Sequence, residues 1–181
     1  MKIINMPYHI DCTYKLCERG FPLIVFGLSD LAGLFFPIAF AIVSHEQEGD
    51  FTLFFQTVLL LCQHMNIVPN INYLIQDACG ASANAASKCL GPNIQILMCF
   101  FHVQKNVRER LKGCDEIVKT GIIKDINYLH FCRNDLEFNA AKHNIYNKWV
   151  ANGLSDSKNY FDEQWVRNEK FNKWVCVNII Y

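Results

Sequence analysis

The chain has 181 residues, the length of one ordinary domain, and 51% of them are hydrophobic while 19% are charged. This composition excludes a disordered tail or linker and predicts a packed core. Basic and acidic side chains both number 17, so no overall positive field indicates nucleic-acid binding. The charge is nevertheless uneven. Residues 1–100 carry 4 basic and 7 acidic side chains and residues 101–181 carry 13 and 10, so a polyanion is expected to approach the second part.

Nine cysteines form an odd set without regular spacing. No basic-then-apolar signal segment precedes them. An odd, irregular set does not read as a disulfide framework, so reduced thiols in the cytosol or nucleus are expected.

The first strongly apolar stretch covers residues 21–43. A membrane helix is one interpretation, because about 20 apolar residues cross a bilayer. Asp30 and Gly33 interrupt the stretch, and its two halves are rich in Ile, Val and Phe. Two strands over 21–28 and 34–43, joined by a turn, are therefore predicted, and no membrane partner is expected. Their continuous apolarity predicts that both faces of the strands are covered.

Together with a first strand over residues 3–10, these strands form a predicted antiparallel meander. An apolar stripe at helical spacing then runs from Phe51 to Cys62. Ser44 and Gln47 are placed to form a capping box ahead of that helix. Glu46, close to the start of the helix, is explained by the favourable interaction of an acid with the helix dipole.

Two further strands, over residues 71–75 and 94–101, flank a small-residue helix around 81–86. Alternation of strand and helix is typical of parallel strands with right-handed crossovers. The next helix carries Val103 and Val107 on its apolar side, and only helices are predicted from about residue 115 onward.

This order of elements is similar to that of a ribonuclease-H-like fold. The predicted fold class is α/β, with a mixed five-stranded sheet of strand order 3-2-1-4-5, flanking helices and a C-terminal helical extension. We expect the core to cover residues 1–114 and the extension residues 115–181. A topology of this kind does not by itself establish a function.

Two carboxylates stand out by their position in this topology. Asp11 follows the first strand and Asp77 follows the fourth, and these strands are neighbours in the predicted sheet. Both side chains could therefore meet at one edge and hold Mg²⁺ for phosphodiester chemistry. The alternative is that Asp11 caps a turn and Asp77 caps the small-residue helix.

At these residues the sequence resembles the catalytic domain of the MULE (Mutator-like element) transposase family. The resemblance is dense over about residues 8–112 and looser beyond. The motifs that carry it are, in chain order, Asp11-Cys12-Thr13-Tyr14-Lys15, Phe21-Pro22-Leu23, Phe36-Pro37-Ile38-Ala39-Phe40, Ser44-His45-Glu46, Asp50-Phe51 with Phe54-Phe55, Asp77 with Ala83-Asn84-Ala85, and Cys99-Phe100-Phe101-His102-Val103 with Asn106-Val107. Each motif is weak alone, but their order and spacing make the set specific.

The resemblance implies a DDE/D-type enzyme of DNA transposition. Asp11 and Asp77 would be catalytic metal ligands, Mg²⁺ or Mn²⁺ the cofactor, and transposon ends and target DNA the partners, with a possible homo-oligomer. In the family a Glu that follows a helical insertion is the third acid, and no segment here matches it, neither at Glu137 nor at Glu163 or Glu169. We therefore expect a chain truncated at both ends relative to the family, with impaired cleavage.

Two other groups of residues are candidates. Cys99 and His102 form the family's Cys-x-x-His segment, which could supply two zinc ligands, although structural zinc needs four. The alternative is a buried thiol and a hydrogen-bonded histidine. Basic residues form a predicted DNA-binding set that could equally be a solvated helix surface. The members of this set are Lys15, Lys105, Arg108, Arg110 and Lys112.

Two functions remain at this point. The first is a fragment of a MULE-type transposase that carries out metal-dependent phosphodiester hydrolysis and strand transfer. The second is an inactive remnant or domesticated protein that binds DNA or a partner protein through its basic helix. A nuclear location is expected from the DNA substrate.

Overall fold

The structure is a computed structural model that describes residues 6–14, 16, 19–30 and 32–175. Lys15 of the predicted DNA-binding set lies outside the described residues, as does the beginning of the predicted first strand. No helix among the described residues is long and apolar enough to cross a membrane.

The first part of the chain forms a sheet and the helices that follow its strands. The elements are β1 (Tyr8–Thr13), β2 (Leu23–Ser29), β3 (Phe35–Ile42), α1 (Glu48–His64), β4 (Tyr73–Gln76), α2 (Gly80–Leu90) and β5 (Gln95–Met98). The five strands form one sheet of order β3-β2-β1-β4-β5. β1 pairs antiparallel with β2 and parallel with β4. The predicted mixed sheet and its strand order are confirmed.

The remaining elements are helical. They are α3 (Phe100–Arg110), α4 (Glu116–His130), α5 (Asp135–Ala151), α6 (Ser155–Phe161) and a π-helical turn over Asp162–Arg167. Helices therefore follow the sheet, in agreement with the predicted C-terminal helical extension. By contacts the chain divides after Ile96 into two compact units. The expected division at residue 114 stays a prediction.

The core of the first unit lies between the sheet and α1. The predicted stripe of α1 is buried at Phe51, Phe54, Phe55 and Val58. It packs with buried side chains of β1, β2 and β4 and with two small residues of α2, namely Ile10, Ile24, Phe26, Leu74, Ala85 and Ala86. Burial of this much apolar surface at about 25 cal/mol per Å² is the main force that holds β1 and β4 side by side.

Gly27 of β2 is required by a close approach of β3. A Cβ atom built at this position would lie 2.3 Å from the Phe36 carbonyl oxygen and 2.6 Å from the Phe35 ring. The ladder of β2 and β3 shifts register between Phe26 and Gly27, so the bulge and the missing side chain occur together.

Four local expectations were wrong. β1 runs through Asp11 to Thr13, because its ladder with β2 continues to the pair Thr13↔Leu23. The capping box of α1 is formed by Gln47 and Asp50 and not by Ser44 and Gln47: the backbone N–H of Gln47 donates to Asp50 Oδ2 at 3.3 Å.

The last two concern β5 and β3. The run predicted as a strand over 94–101 ends at Met98, because Cys99 caps α3. The faces of β3 are not both covered: Phe40 is 60% and Ile42 is 69% exposed. Ala39 and Ala41 pack against the core on one face of β3, whereas Phe40 and Ile42, at the alternate positions, lie on the other face.

Candidate metal and DNA-binding site

Asp11 and Asp77 come from the two parallel neighbours β1 and β4. The pairs Tyr8↔Leu74 and His9↔Ile75 set their register. The ladder ends there, and Asp11 and Asp77 each follow two residues after its last pair. Both aspartates line one small cavity of about 10 Å³, the space of a single water molecule. The structure therefore brings the two predicted carboxylates together, and their role as ligands stays a prediction.

The two aspartates differ in how they are held. Asp11 lies within β1 and is exposed, whereas Asp77 is half-buried and lies immediately after β4. β1 pairs with β2 along its whole length, so the backbone under Asp11 is fixed by the pair Asp11↔Val25. Asp77 has no such ladder, and its position depends on the turn that joins β4 to α2.

The turn after β4 is held by a buried polar side chain. Gln76 is 1% exposed, and its Nε2 donates to the backbone carbonyls of Asp77, at 3.2 Å, and Cys79, at 3.0 Å. Its Oε1 accepts from the Ser82 hydroxyl at 2.9 Å. Because the amide satisfies three groups in a site without water access, this network fixes the backbone that carries Asp77.

A third carboxylate, Glu46, lines the same cavity. An interaction with the dipole of α1 was expected for Glu46, but the helix begins at Glu48, and Glu46 lies in the connection that precedes it. The Cys12 thiol and the Tyr14 hydroxyl both hydrogen-bond to Glu46. The only sequence signal for this placement was the family motif Ser44-His45-Glu46, which carries no geometric information.

The carboxylates give the site a negative potential that is visible on its neighbours. Burial, followed by the charge and hydrogen bond of Glu46, raises the pKa of the Cys12 thiol well above its usual range. Burial and the nearby charges of Asp77 and Glu46 also raise the pKa of Cys79. Partial burial and Glu46 raise the pKa of Tyr14 to about 12. All three groups are therefore protonated and uncharged at neutral pH.

The donor set suits a hard cation better than a soft one. Carboxylate oxygens are preferred by Mg²⁺, which usually takes one or two of them and completes its shell with water and phosphate oxygens. Among the described residues, no group of three or more His, Cys, Asp or Glu side chains is placed to hold a metal ion by itself.

Cys99 and His102 lie at the beginning of α3. Cys99 is the residue that precedes the helix, and His102 is in its first turn. Burial alone would raise the pKa of Cys99, but hydrogen bonds from the side chain and backbone of His102, with a further one from the Phe101 backbone, outweigh it and lower that pKa. The pair forms a thiol activated by its neighbour. No third ligand within the described part of the chain joins them in a zinc site.

The four described residues of the predicted basic set differ in their partners, and their role in DNA binding stays a prediction. Lys105 and Arg108 are exposed on α3 and make no ion pair with any described residue. Arg110 instead lies over the Tyr160 ring at 5.4 Å, and Lys112 pairs with Glu109. Arg110 and Lys112 keep their charges, but both side chains already have partners within the protein.

The three glutamates considered for the third acid lie in the second unit. Glu137 accepts the backbone N–H of Arg133 at 2.8 Å, which is a helix-start interaction at α5. Glu163 and Glu169 lie in and after the π-helical turn.

Solved structures also match the chain. The catalytic core domain of the integrase of HTLV-2, solved with magnesium in a dimeric form, is 15% identical, with a TM-score of 0.31, over 70% of this chain and 86% of the integrase chain. No curated protein matches the chain. The family comparison is more specific, because the MULE transposase domain matches residues 8–106, which are more than half of the chain and include both Asp11 and Asp77. The chain therefore belongs to the MULE transposase domain family.

Proposed function

We propose that this chain is a catalytic-domain fragment of a MULE-type DNA transposase, in which Asp11 and Asp77 hold Mg²⁺ or Mn²⁺. One observation carries the proposal: within the family-matched segment, the two aspartates come from neighbouring parallel strands and line one cavity. The reaction would be hydrolysis of a phosphodiester at a transposon end, followed by attack of the freed 3′-hydroxyl on target DNA.

A divalent ion at this site would activate the attacking oxygen and stabilise the leaving oxygen. The chain's own residues prepare the position. The pairing of β1 with β2 holds the backbone of Asp11, and Gln76 holds the turn of Asp77, so the backbone under both carboxylates is fixed before an ion binds.

DNA is the proposed partner. Two observations support it: the family of the chain, and the two exposed cations Lys105 and Arg108 on α3. Each cation can neutralise a phosphate and release its counterion. Assembly into a homo-oligomer and a nuclear location belong to the same proposal.

Nicking of supercoiled plasmid DNA in Mg²⁺ or Mn²⁺ tests the proposed reaction. Since no segment matches the family's third acid, we expect the full chain to nick only weakly, and Asp11→Asn and Asp77→Asn to abolish this residual nicking. Glu163→Gln, an exposed carboxylate outside the cavity, is the matched control and should retain it. If Asp77→Asn leaves nicking unchanged, the metal site has been assigned to the wrong residues.

The second candidate function is DNA or protein binding without cleavage, as in a remnant or domesticated transposase. One observation favours it: no three metal-binding side chains among the described residues converge on one ion. Affinity for DNA, measured in the presence of EDTA, separates the two functions. A chain that binds DNA with EDTA present, and does not nick it when Mn²⁺ is added, has the second function.

A further inference from the structure

Phe101 is an exposed aromatic residue that the site described above does not use. It lies in the first turn of α3 and is 66% exposed. Among the described residues its ring contacts only the His102 ring, edge-on, with 5.3 Å between centroids. Covering an exposed apolar ring lowers the free energy, so a ligand that packs on Phe101 gains binding energy.

Phe101 shares one face of α3 with the two exposed cations. Positions 101, 105 and 108 have the spacing i, i+4, i+7, which places Phe101, Lys105 and Arg108 on one side of the helix. At 1.5 Å per residue, Lys105 is about 6 Å and Arg108 about 10 Å along the axis from Phe101. The buried side of the same helix is formed by Val103 and Val107.

Charge decides what this face can bind. Neither Lys105 nor Arg108 is neutralised by an ion pair with the described part of the chain, and the neighbouring Glu109 is paired with Lys112. The face is therefore cationic with an aromatic ring at one end. Positive charge that follows a backbone, combined with an aromatic platform for a base, is the arrangement by which proteins bind single-stranded nucleic acid.

We propose that Phe101 stacks on an unpaired base of a DNA strand whose phosphates contact Lys105 and Arg108. This inference rests on the proposed DNA function and adds that the strand is unpaired where it meets α3. A base inside a duplex is covered by its neighbours and offers no face to Phe101, whereas an unpaired base offers a π-face whatever its sequence.

Binding of fluorescent oligonucleotides by the full chain, measured by anisotropy, tests the inference. The probes are a single strand and a duplex of the same sequence. Stacking contributes about 1–3 kcal/mol per base, so Phe101→Ala should weaken single-strand binding about 5- to 150-fold. Duplex binding should change less than about twofold, and Phe101→Trp should restore the single-strand affinity.

The matched control is Phe131→Ala. Phe131 follows α4, is 67% exposed and contacts the edge of His130, so the two substitutions remove equal surface from similar settings. This variant should bind both probes as the wild type does. Thermal unfolding of both variants checks that the fold is retained.

Salt dependence separates the roles of the three residues. Lys105→Ala should reduce the slope of log affinity against log salt on the single strand by about 0.7, since one phosphate contact is lost. Phe101→Ala should lower affinity without changing that slope.

Two results overturn the inference alone: a chain that binds DNA with single-strand affinity indifferent to Phe101→Ala, or one in which this substitution weakens both probes equally. A chain that binds neither probe overturns the proposed DNA partner as well.

Discussion

The hydroxyl of Ser82 is predicted to stabilise the turn that carries Asp77. Ser82 is 2% exposed and donates to Oε1 of Gln76, which is 1% exposed. Ser82→Ala removes this donor and leaves a buried amide oxygen without the partner it now has. An unsatisfied buried acceptor costs about 1–3 kcal/mol.

The loss of stability in Ser82→Ala can be measured by thermal or urea unfolding. For a chain of this size each kcal/mol shifts the midpoint by about 2–4 °C, so Ser82→Ala should lower Tm by about 2–12 °C. Alanine is a better helix former than serine by less than about 0.7 kcal/mol, which partly offsets the loss.

The matched control is Ser87→Ala on the same helix. Ser87 donates only to the Ala83 carbonyl one turn earlier, at 3.0 Å, which is a local bond that supports no neighbouring element. The control has the same gain in helix propensity and should be neutral or slightly stabilising. If both variants shift Tm equally, the Gln76 network does not support the turn, and the reasoning is refuted.

Two predictions concern pH. The Cys99 thiol should react with iodoacetamide faster than the Cys12 thiol at neutral pH, because the pKa of Cys99 is lowered while that of Cys12 is raised. His102→Gln should move the midpoint of the pH–rate profile of Cys99 upward. Equal reaction rates for both thiols, measured by peptide mass spectrometry, would contradict this. Tyr14 should ionise near pH 12, and Glu46→Gln should lower its midpoint toward the ordinary value of 10.0 in an ultraviolet titration referenced to Tyr14→Phe. Since the folded chain favours the protonated hydroxyl, its contribution to stability is complete below about pH 10 and is lost as pH rises toward 12. An unchanged midpoint in Glu46→Gln would show that the hydrogen bond does not act on Tyr14.

The sheet could be predicted from the sequence because its signals are local. Continuous β-branched and aromatic runs, interrupted at Asp30 and Gly33, mark two strands, and the alternation of strand and helix sets the parallel pair. The meeting of Asp11 and Asp77 follows from this topology. It does not depend on the precise end of β1, which was predicted one residue too early to include Asp11.

The boundary of β5 and α3 could not be predicted from periodicity. Residues 96–101 are all apolar, so a change of period from two to 3.6 leaves no trace in the pattern. The cap at Cys99 is also not one of the usual capping residues.

Contacts between distant residues were equally invisible. The contact of Arg110 with the Tyr160 ring, fifty positions later in the chain, could not be predicted from spacing. Glu46 and Gln76 acquire their roles in the site only when α1 and α2 pack near the end of β4. Local propensity describes none of these arrangements.

Binding of Mn²⁺, followed by electron paramagnetic resonance, tests most directly whether Asp11 and Asp77 hold a divalent ion together. The wild-type chain should bind Mn²⁺ in competition with Mg²⁺, and either Asp11→Asn or Asp77→Asn should weaken binding by more than about tenfold, since even outer partners of a metal site contribute that much. Asp156→Asn, an exposed carboxylate at the start of α6, should have no effect. Binding that is unchanged in both cavity variants, or weakened equally in all three, would contradict the shared site.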